Sequence, residues 1–408
     1  MSTILKLILS VFLIAAAPLL AANTPRVFLL NPNQLAVTRA KIQSGDNTFS
    51  AALAELKREA DDALNAGPFS VMFKNAVPPG GDKHDYLSQA PYFWPNPDTS
   101  NGLPYVRHDG KRNPEINKIS DHRSIGKIGN VTETLALNFY FTGDEACAEK
   151  AAKLIRAWFL DPATRMNPNF QFAQGVPGIS TGRSYGLIES RGLTRVVDAA
   201  GLLAGSKSWT TADQRGLEDW FSKFLQWMRE SKLGRKESAN KNNHGTYYDV
   251  QAVSFALFLG KTDLAKEILE TAKSKRIALQ IQPDGRQPLE LARTNAWGYS
   301  IQNLTGLMDL ADLGERVGVD LWNFQTADGR SIRKALEYLA PFALDVKKWP
   351  YTSRPSSPSF FSVARRAALH YNDAAFQKFF PKIPAARQND RANLLTPKVS
   401  NLKTKPPE

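Results

Sequence analysis

Apolar residues recur with a helical period along most of this sequence. Over residues 148–159 and 217–228 they fall at every third or fourth position, and Thr210 or Thr211 is a candidate N-cap for the second run. Residues 264–272 and 301–311 show the same spacing, while residues 250–259 are apolar on nearly all sides, which predicts a buried helix. Because alternating, strand-like patterns are scarce, the sequence predicts an all-α protein.

Short glycine-containing links join the predicted helices. The dipeptide Gly143-Asp144 and residues 260–263 are long enough only for a reversal of chain direction, so successive helices are expected to pack as antiparallel hairpins. A mixture of fully apolar and amphipathic helices indicates an inner and an outer layer. We therefore expect residues 23–385 to form one toroid of helix pairs around a cleft.

The two ends of the sequence have their own patterns. Lys6 precedes a short apolar run over residues 8–20, and Ala21 and Ala22 follow it, which is typical of a secretory signal over residues 1–22. The run is too short for a comfortable membrane span, and no later apolar segment is longer. We expect cleavage near Ala22, a secreted or periplasmic protein without a membrane span, and a basic surface tail over residues 386–408.

Charge and cysteine content narrow the class of protein. The formal net charge is +13, or +12 once Lys6 is removed, and charge of this size steers anions towards a protein. No nucleic-acid-binding signature is present, so acidic polysaccharide and anionic membrane surfaces remain as partners, beside the alternative of a generally basic surface. The single cysteine, Cys147, excludes a disulfide scaffold. We expect a monomer that does not bind nucleic acid.

Residues 242–249 form a polar stretch directly before the buried helical segment. They include Asn243, His244 and Tyr248, and such groups are costly to bury without partners, so they are expected to line a cavity. A helix cap with a structural histidine is the alternative. A second stretch, residues 284–299, presents Glu290, Arg293 and Tyr299; here the alternative is a surface ion pair between Glu290 and Arg293.

Together with three further motifs, these stretches resemble the alginate-lyase-domain polysaccharide lyases. The motifs are Asn-Asn-His at 242–244, Asp-Gly-x-x-x-x-Glu-x-x-Arg at 284–293 with the following Tyr299, Lys-His-Asp-Tyr at 83–86 with Pro-Tyr-Phe-Trp-Pro-Asn-Pro at 91–97, Met-Asn-Pro-Asn-Phe at 166–170, and Gly-Arg-Ser-Tyr-Gly at 182–186. The resemblance implies an incomplete (α/α) toroid that acts on uronate polysaccharides.

Two features distinguish this sequence from the alginate-biosynthesis lyases within the same class of polysaccharide lyases. Arg293 and Tyr299 are six residues apart, whereas the bacterial alginate-biosynthesis lyases have a spacing of seven. Residues 77–115, the aromatic segment, are rich in proline, glycine, asparagine and aromatic side chains, and they are expected to form a long, ordered, lid-like loop. Both features are similar to the polymannuronate and glucuronan lyases, so polymannuronate in alginate is the first expected substrate and glucuronan the second.

The chemistry that the resemblance implies explains the residue types. A uronate lyase removes the C5 proton and expels O4, and an amide such as Asn243 with a cation such as Arg293 can neutralise the carboxylate without a metal or other cofactor. Tyr299 can serve as both base and acid in a syn elimination, provided that Arg293 and His244 depress its pKa. The alternative assigns the base to His244 and the acid to Tyr299.

The remaining candidates are weighed as ligands or structural groups. The predicted substrate-binding residues are Lys83, Tyr86, Trp94, Arg183, Tyr248 and Glu290, and Glu189 is expected to orient other groups. The other histidines, His84, His108, His122 and His370, show no metal-ligand spacing in the sequence, so no metal site is expected. Two other functions stay open: a glycoside hydrolase using Asp249 and Glu290 as opposed carboxylates, and a non-catalytic protein that binds anionic glycans.

Overall fold

The computed structural model describes residues 24–371 and 390–396, and this part of the chain is mainly helical. Its α-helices are α1 (Pro32–Gln43), α2 (Ser50–Leu64), α3 (Asp121–Thr142), α4 (Glu145–Ile155), α5 (Leu193–Leu202), α6 (Thr211–Glu230), α7 (Lys232–Ser238), α8 (Asn243–Phe258), α9 (Thr262–Ala272), α10 (Pro288–Leu291), α11 (Ala296–Glu315), α12 (Ile332–Ala343), α13 (Ser357–Tyr371) and α14 (Ala392–Leu395). Single 3₁₀ segments lie at Asn47–Phe49, Val71–Phe73, Pro114–Lys118 and Ser184–Gly192, and π turns at Arg156–Leu160 and Lys273–Ala278. None of the described helices is long and apolar enough to cross a membrane.

Four short strands accompany the helices. Strand β1 (Leu87–Gln89) pairs in parallel with β4 (Phe172–Gly175), and β2 (Phe93–Trp94) pairs antiparallel with β3 (Val106–Arg107). Three of the four lie within residues 77–115, the segment expected to be a long ordered loop. That segment is therefore ordered by strand pairing, which ties it to the chain that follows α4.

The periodic segments form the helices that their spacing predicts. Residues 148–159 lie in α4 and the π turn that extends it, and residues 217–228 lie in α6. Thr210 caps α6 as expected, in a capping box in which its hydroxyl and the Asp213 side chain each bond the other residue's backbone. The buried helix begins earlier than the apolar pattern indicates. Asn243 is its first residue because the Asn242 side chain accepts a hydrogen bond from the backbone of His244.

The inner helices α3, α5, α8, α11 and α13 run in the same direction, and the outer helices return the chain between them. Helices α11 and α13 illustrate this, since Trp297 bonds Ser359 near their starts and Asp312 pairs with His370 near their ends. Helix α8 is buried on nearly every side, as an inner helix must be. This arrangement of parallel inner and antiparallel outer helices is an (α/α) toroid, as the sequence predicted.

Two segments distant in sequence complete the ring between α13 and α3, where Arg365 of α13 donates to Asn393 and Arg391 donates to Thr134 of α3. The backbone amides of Phe28 and Leu30 donate to Asp198 on α5, at 2.7 and 2.8 Å. On the other side, Leu394 of α14 is buried and its carbonyl accepts from Thr38. Within the predicted surface tail, Leu394 is therefore a buried apolar anchor, and the rest of residues 390–396 are partly buried. The rest of that tail and the predicted signal over residues 1–22 lie outside the described residues.

Candidate active site

A cavity of about 1400 Å³ opens where the inner helices begin and continues along their inner faces. Its lining is rich in arginine, and the arginines are Arg107, Arg112, Arg183, Arg191, Arg195, Arg293, Arg316, Arg365, Arg366 and Arg391. The acidic lining residues are Glu133, Glu189, Asp309, Asp312 and Glu315. Among the described residues, these ten cations therefore face five anions, and the surplus gives the cavity a positive field suited to a polyanion.

Asn243 begins α8 and is held at the cavity wall by Glu290. Its backbone amide donates to Glu290 Oε1 at 2.7 Å and its side-chain Nδ2 donates to Glu290 Oε2 at 2.8 Å. Glu290 is 1% exposed, and burial raises the pKa of its carboxyl. Both Glu290 oxygens are thus occupied by Asn243, which fixes the amide plane and leaves Glu290 without access to substrate.

His244 lines the cavity beside Asn243 and is oriented by a buried carboxylate. Its Nδ1 lies 2.6 Å from Glu237 Oε1, at the end of α7, and the edge of its ring packs against Tyr185 with centroids 4.4 Å apart. A carboxylate at Nδ1 favours a proton on that nitrogen, so Nε2 is the nitrogen available to a ligand.

Arg293 is fixed by a residue of the aromatic segment. Its Nη2 and Nε donate to the Asp109 carboxylate at 2.8 and 3.1 Å, and Arg293 holds the pKa of Asp109 at about 2. Gly110, at φ 75°, lets the loop approach closely, since a Cβ at that position would collide with Thr294. The aromatic segment therefore packs against residues 293–294 through the hydrogen bonds of Asp109.

Tyr299 lies in the first turn of α11 between Arg293 and the aromatic segment. The Arg293 guanidinium sits over its ring, 3.9 Å from the centroid, and its hydroxyl is 2.8 Å from that of Tyr92. Burial and the hydrogen bond with Tyr92 raise the pKa of Tyr299, with Arg293 acting in the opposite direction. The expectation of a depressed pKa is therefore wrong for the ligand-free protein, because burial outweighs the nearby cation.

Arg183 reaches the cavity from the segment after β4. Its Nη2 donates to Gln174 Oε1 at 2.6 Å, and its guanidinium lies over the rings of Phe93 and Tyr185. Gln174 has φ 49°, an uncommon conformation for a residue with a side chain, and its Nε2 donates to the buried Glu189 at 2.9 Å. Glu189 lines the cavity and also accepts hydrogen bonds from Tyr86, Ser88 and Gln174, contacts that fit the orienting role expected of it.

The remaining predicted ligands lie outside the cavity lining. Tyr86 is fully buried and donates to Glu189, and Tyr248 is buried and donates to the Met228 carbonyl. Neither they nor Glu290 line the cavity, so we propose positioning roles for all three. Lys83 and Trp94 are partly buried but do not line the cavity, and Trp94 Nε1 donates to the Lys111 carbonyl.

The carboxylates required by the hydrolase alternative do not face each other across the cavity. Asp249 is buried and accepts from Arg276 Nε and Nη2 at 2.7 and 3.1 Å, while Glu290 is occupied by Asn243. Neither residue lines the cavity. This pair therefore lacks the arrangement around a glycosidic bond that hydrolysis requires.

One group of potential metal ligands lies at the far end of the cavity. Asp312, Glu315 and His370 have ligand atoms within 4.8 Å of one another, a grouping that spacing along the sequence does not reveal. Burial acts to lower the pKa of His370, but hydrogen bonds to Asp312 and Glu315 raise it to about 9. Arg366 also donates to Asp312. Protonated His370 and Arg366 thus already neutralise these acids.

Comparison with known protein families identifies the family to which these cavity-lining motifs belong. A sequence model of the alginate lyase family matches residues 70–349, which is more than half of the chain and includes all the motifs described above. The chain belongs to the alginate lyase family. It is accordingly a polysaccharide lyase.

Solved structures similar to this chain include other members of the alginate lyase family. An alginate lyase from Bacteroides ovatus is 37% identical, with a TM-score of 0.86 over 91% of this chain and 99% of that one. Alginate lyase A1-III from Sphingomonas species A1 shares the fold at 17% identity, with a TM-score of 0.54 over 92% of this chain and 96% of that one. No curated protein matches the sequence.

The structure brings together five of the predicted site residues and adds partners that sequence reasoning missed. Asn243, His244, Arg293, Tyr299 and Arg183 all line the cavity. The missed partners are Glu237, Asp109, Tyr92 as the neighbour of Tyr299, and Gln174. Only Tyr92 carried a sequence signal, its place in the aromatic segment. The others are common residue types: Glu237 and Gln174 lie seven and nine positions from the groups they hold, and Asp109 lies 184 positions from Arg293.

Proposed function

We propose that this protein cleaves β-1,4-linked uronate polysaccharides by β-elimination, with polymannuronate in alginate as the first substrate and glucuronan as the second. The observation that carries the proposal is the placement of Asn243, His244, Arg293 and Tyr299 around one arginine-rich cavity. The 37% identity to a protein described as an alginate lyase supports the same substrate class.

Neutralisation of the substrate carboxylate is assigned to Asn243 and Arg293. The C5 proton is poorly acidic while the adjacent carboxylate keeps its charge, so hydrogen-bond donors must stabilise the negative charge that develops on it. Glu290 fixes the Asn243 amide and Asp109 fixes the Arg293 guanidinium, so both groups are oriented before substrate binds. This arrangement supplies the stabilisation from protein groups, and we propose that the reaction needs no metal.

Proton transfer is assigned to His244 and Tyr299. Because the pKa of Tyr299 is raised, its hydroxyl is protonated at neutral pH and is suited to deliver a proton to the departing O4. His244, with Nδ1 directed to Glu237, offers Nε2 to accept the C5 proton. These contacts favour His244 as base and Tyr299 as acid over a single tyrosine in both roles. In β-mannuronate and β-glucuronate both atoms lie on the same face of the ring, which makes the elimination syn.

Export is part of the proposal. A polysaccharide too large to enter a cell is degraded where it lies, and the predicted signal over residues 1–22 is consistent with a secreted or periplasmic enzyme. Cell fractionation followed by N-terminal sequencing of the mature protein tests this point. A mature N-terminus near residue 23 is the expected result.

The decisive experiment is a panel of polymannuronate, polyguluronate, glucuronan and hyaluronan followed by ultraviolet absorbance, with and without a chelator. Elimination creates a conjugated double bond that absorbs, whereas hydrolysis gives new reducing ends without that absorbance. We expect absorbance to rise fastest with polymannuronate and to be unaffected by the chelator. No increase with any polymer would contradict the proposal.

Tyr299→Phe provides the matched test of the site. It removes the hydroxyl that donates to O4, so we expect turnover to fall by at least about a thousandfold. Tyr338→Phe is the control, because Tyr338 also bonds a second tyrosine hydroxyl, that of Tyr351, but does not line the cavity. Equal activity of the two variants would contradict the role of Tyr299.

A further inference from the structure

Among the cavity arginines that the structure describes, Arg183 and Arg365 combine a buried, unpartnered Nε with the absence of a bonded carboxylate. Arg183 and Arg365 are each held by a single amide oxygen, of Gln174 at 2.6 Å and of Asn393 at 2.7 Å. In both, Nε is buried and has no hydrogen-bond partner. By contrast, Arg293 and Arg366 are bonded to carboxylates.

Arg365 is the more deeply buried case. Its residue is 7% exposed, and burial lowers its pKa to about 10, with Asp390 acting in the opposite direction. A buried cation without a bonded anion is unfavourable in the free protein. Because Arg365 lines the cavity, its guanidinium can donate to an anion there, and two guanidinium donors match the oxygens of a carboxylate.

Arg365 lies far from the catalytic residues but in the same cavity. The next residue, Arg366, donates to Asp309 and Asp312 of α11. At a rise of about 1.5 Å per residue, Asp312 lies roughly 20 Å beyond Tyr299 along that helix. Leu30 and Thr396, from the two segments that complete the ring, also line the cavity, and the Leu30 carbonyl accepts from Arg316 at the end of α11.

We propose that the far end of the cavity is a second anion-binding subsite, in which Arg365 binds a carboxylate of the uronate chain. The inference rests on the proposed function and extends it. The substrate then runs from the catalytic residues into the cavity along the inner helices. Because this end lies far from Tyr299, the carboxylate at Arg365 belongs to a sugar several residues away from the bond that is cleaved.

The test measures binding to Tyr299→Phe protein, which holds substrate without turning it over. Saturated mannuronate oligosaccharides of increasing length are titrated calorimetrically, with and without Arg365→Gln. We expect Arg365→Gln to weaken the longest oligosaccharides about tenfold, the loss of a charge-assisted hydrogen bond, and to leave the disaccharide unchanged. Arg229→Gln, an exposed arginine outside the cavity lining, is the control and should change neither.

Thermal unfolding separates a binding role from a structural one. Removing a buried cation that has no anionic partner should leave the melting temperature of the ligand-free protein unchanged or raise it. A loss of affinity equal at every length, or none at the greatest length, overturns the subsite. The subsite is also overturned if inorganic phosphate competes for Arg365 while oligosaccharide affinity does not depend on length. That result would make Arg365 a binding site for free anions. If no polymer is cleaved by the unsubstituted protein while length-dependent binding persists, the proposed function fails and the subsite stands.

Discussion

At the scale of single residues, the reactive groups depend on acidic partners that hold them in place. His244 is oriented by Glu237, Asn243 by Glu290 and Arg293 by Asp109. Glu237 is seven positions from His244, whereas Glu290 and Asp109 are 47 and 184 positions from the groups they hold. The acids can therefore be substituted separately to ask what orientation alone contributes.

Glu237→Gln tests the orientation of His244. The amide keeps the size of the side chain but cannot stabilise a positive charge on the imidazole when it accepts a proton, so turnover should fall about tenfold to a hundredfold with a smaller change in KM. Initial rates by ultraviolet absorbance measure this. Glu149→Gln, on an exposed position of α4, should leave both constants unchanged. An unaltered turnover number for Glu237→Gln would show that the carboxylate is not needed.

Asp109→Asn tests the pair that holds Arg293. Because the pKa of Asp109 is held at about 2 in the folded protein, below its unfolded value, the pair stabilises the fold above about pH 4 and loses this effect as pH falls towards 2. We expect the variant to lose up to about 2 kcal/mol of unfolding free energy at pH 7.

Denaturant unfolding of both proteins at pH 7 and near pH 2 measures the effect. The difference between them should shrink at the lower pH, where the unsubstituted carboxyl also becomes protonated. A difference that is constant across this range would indicate that the charge of Asp109 is not what stabilises the pair.

The reactive residue types were predictable from the sequence, but their electrostatic setting was not. Asn243, His244, Arg293 and Tyr299 stand in short motifs with chemically interpretable spacing. The pKa of Tyr299 was expected to be lowered because Arg293 is near in sequence, yet burial and Tyr92, which is 207 positions away, raise it. Burial is a property of the assembled fold, so no local pattern could supply it.

At the scale of secondary structure, the first turn of α8 carries both a cap and part of the site. The Asn242 side chain accepts from the backbone of His244, and the next residue, Asn243, lines the cavity. Polar residues at a helix start fall outside an apolar period, which is why the sequence predicted the helix to begin later. The helices with regular apolar stripes, such as α4 and α6, were predicted well.

Paired cap removals separate stability from activity. Asn242→Ala and Thr210→Ala each remove an N-cap, of α8 and α6, so each should lower the unfolding free energy by about 1 kcal/mol. Only Asn242→Ala should also reduce turnover, because it loosens the turn that carries Asn243 and His244. Urea unfolding and initial rates measure the two effects. A similar loss of turnover in Thr210→Ala would mean that activity merely follows stability.

At the scale of the whole molecule, the arginine-rich cavity should make substrate binding sensitive to salt. Raising NaCl from about 50 mM to about 500 mM shortens the screening length to a few ångströms, which weakens the attraction of a polyanion. We expect KM for polymannuronate to rise severalfold with turnover changing much less, as measured by initial rates at each salt concentration. A salt-independent KM would mean that the charge of the cavity does not contribute to binding.

The long-range contacts that complete the ring determine when the cavity can form during synthesis of the chain. Thr38 bonds the carbonyl of Leu394 across 356 positions of sequence, and Phe28 bonds Asp198 across 170. Contacts of such long range form late, because a long loop must close before they can stabilise anything. During synthesis the inner helices can pair in order as they emerge, but one wall of the cavity does not exist until residue 396 has been made. We therefore expect partly synthesised chains to hold most of the helices and no closed binding cavity.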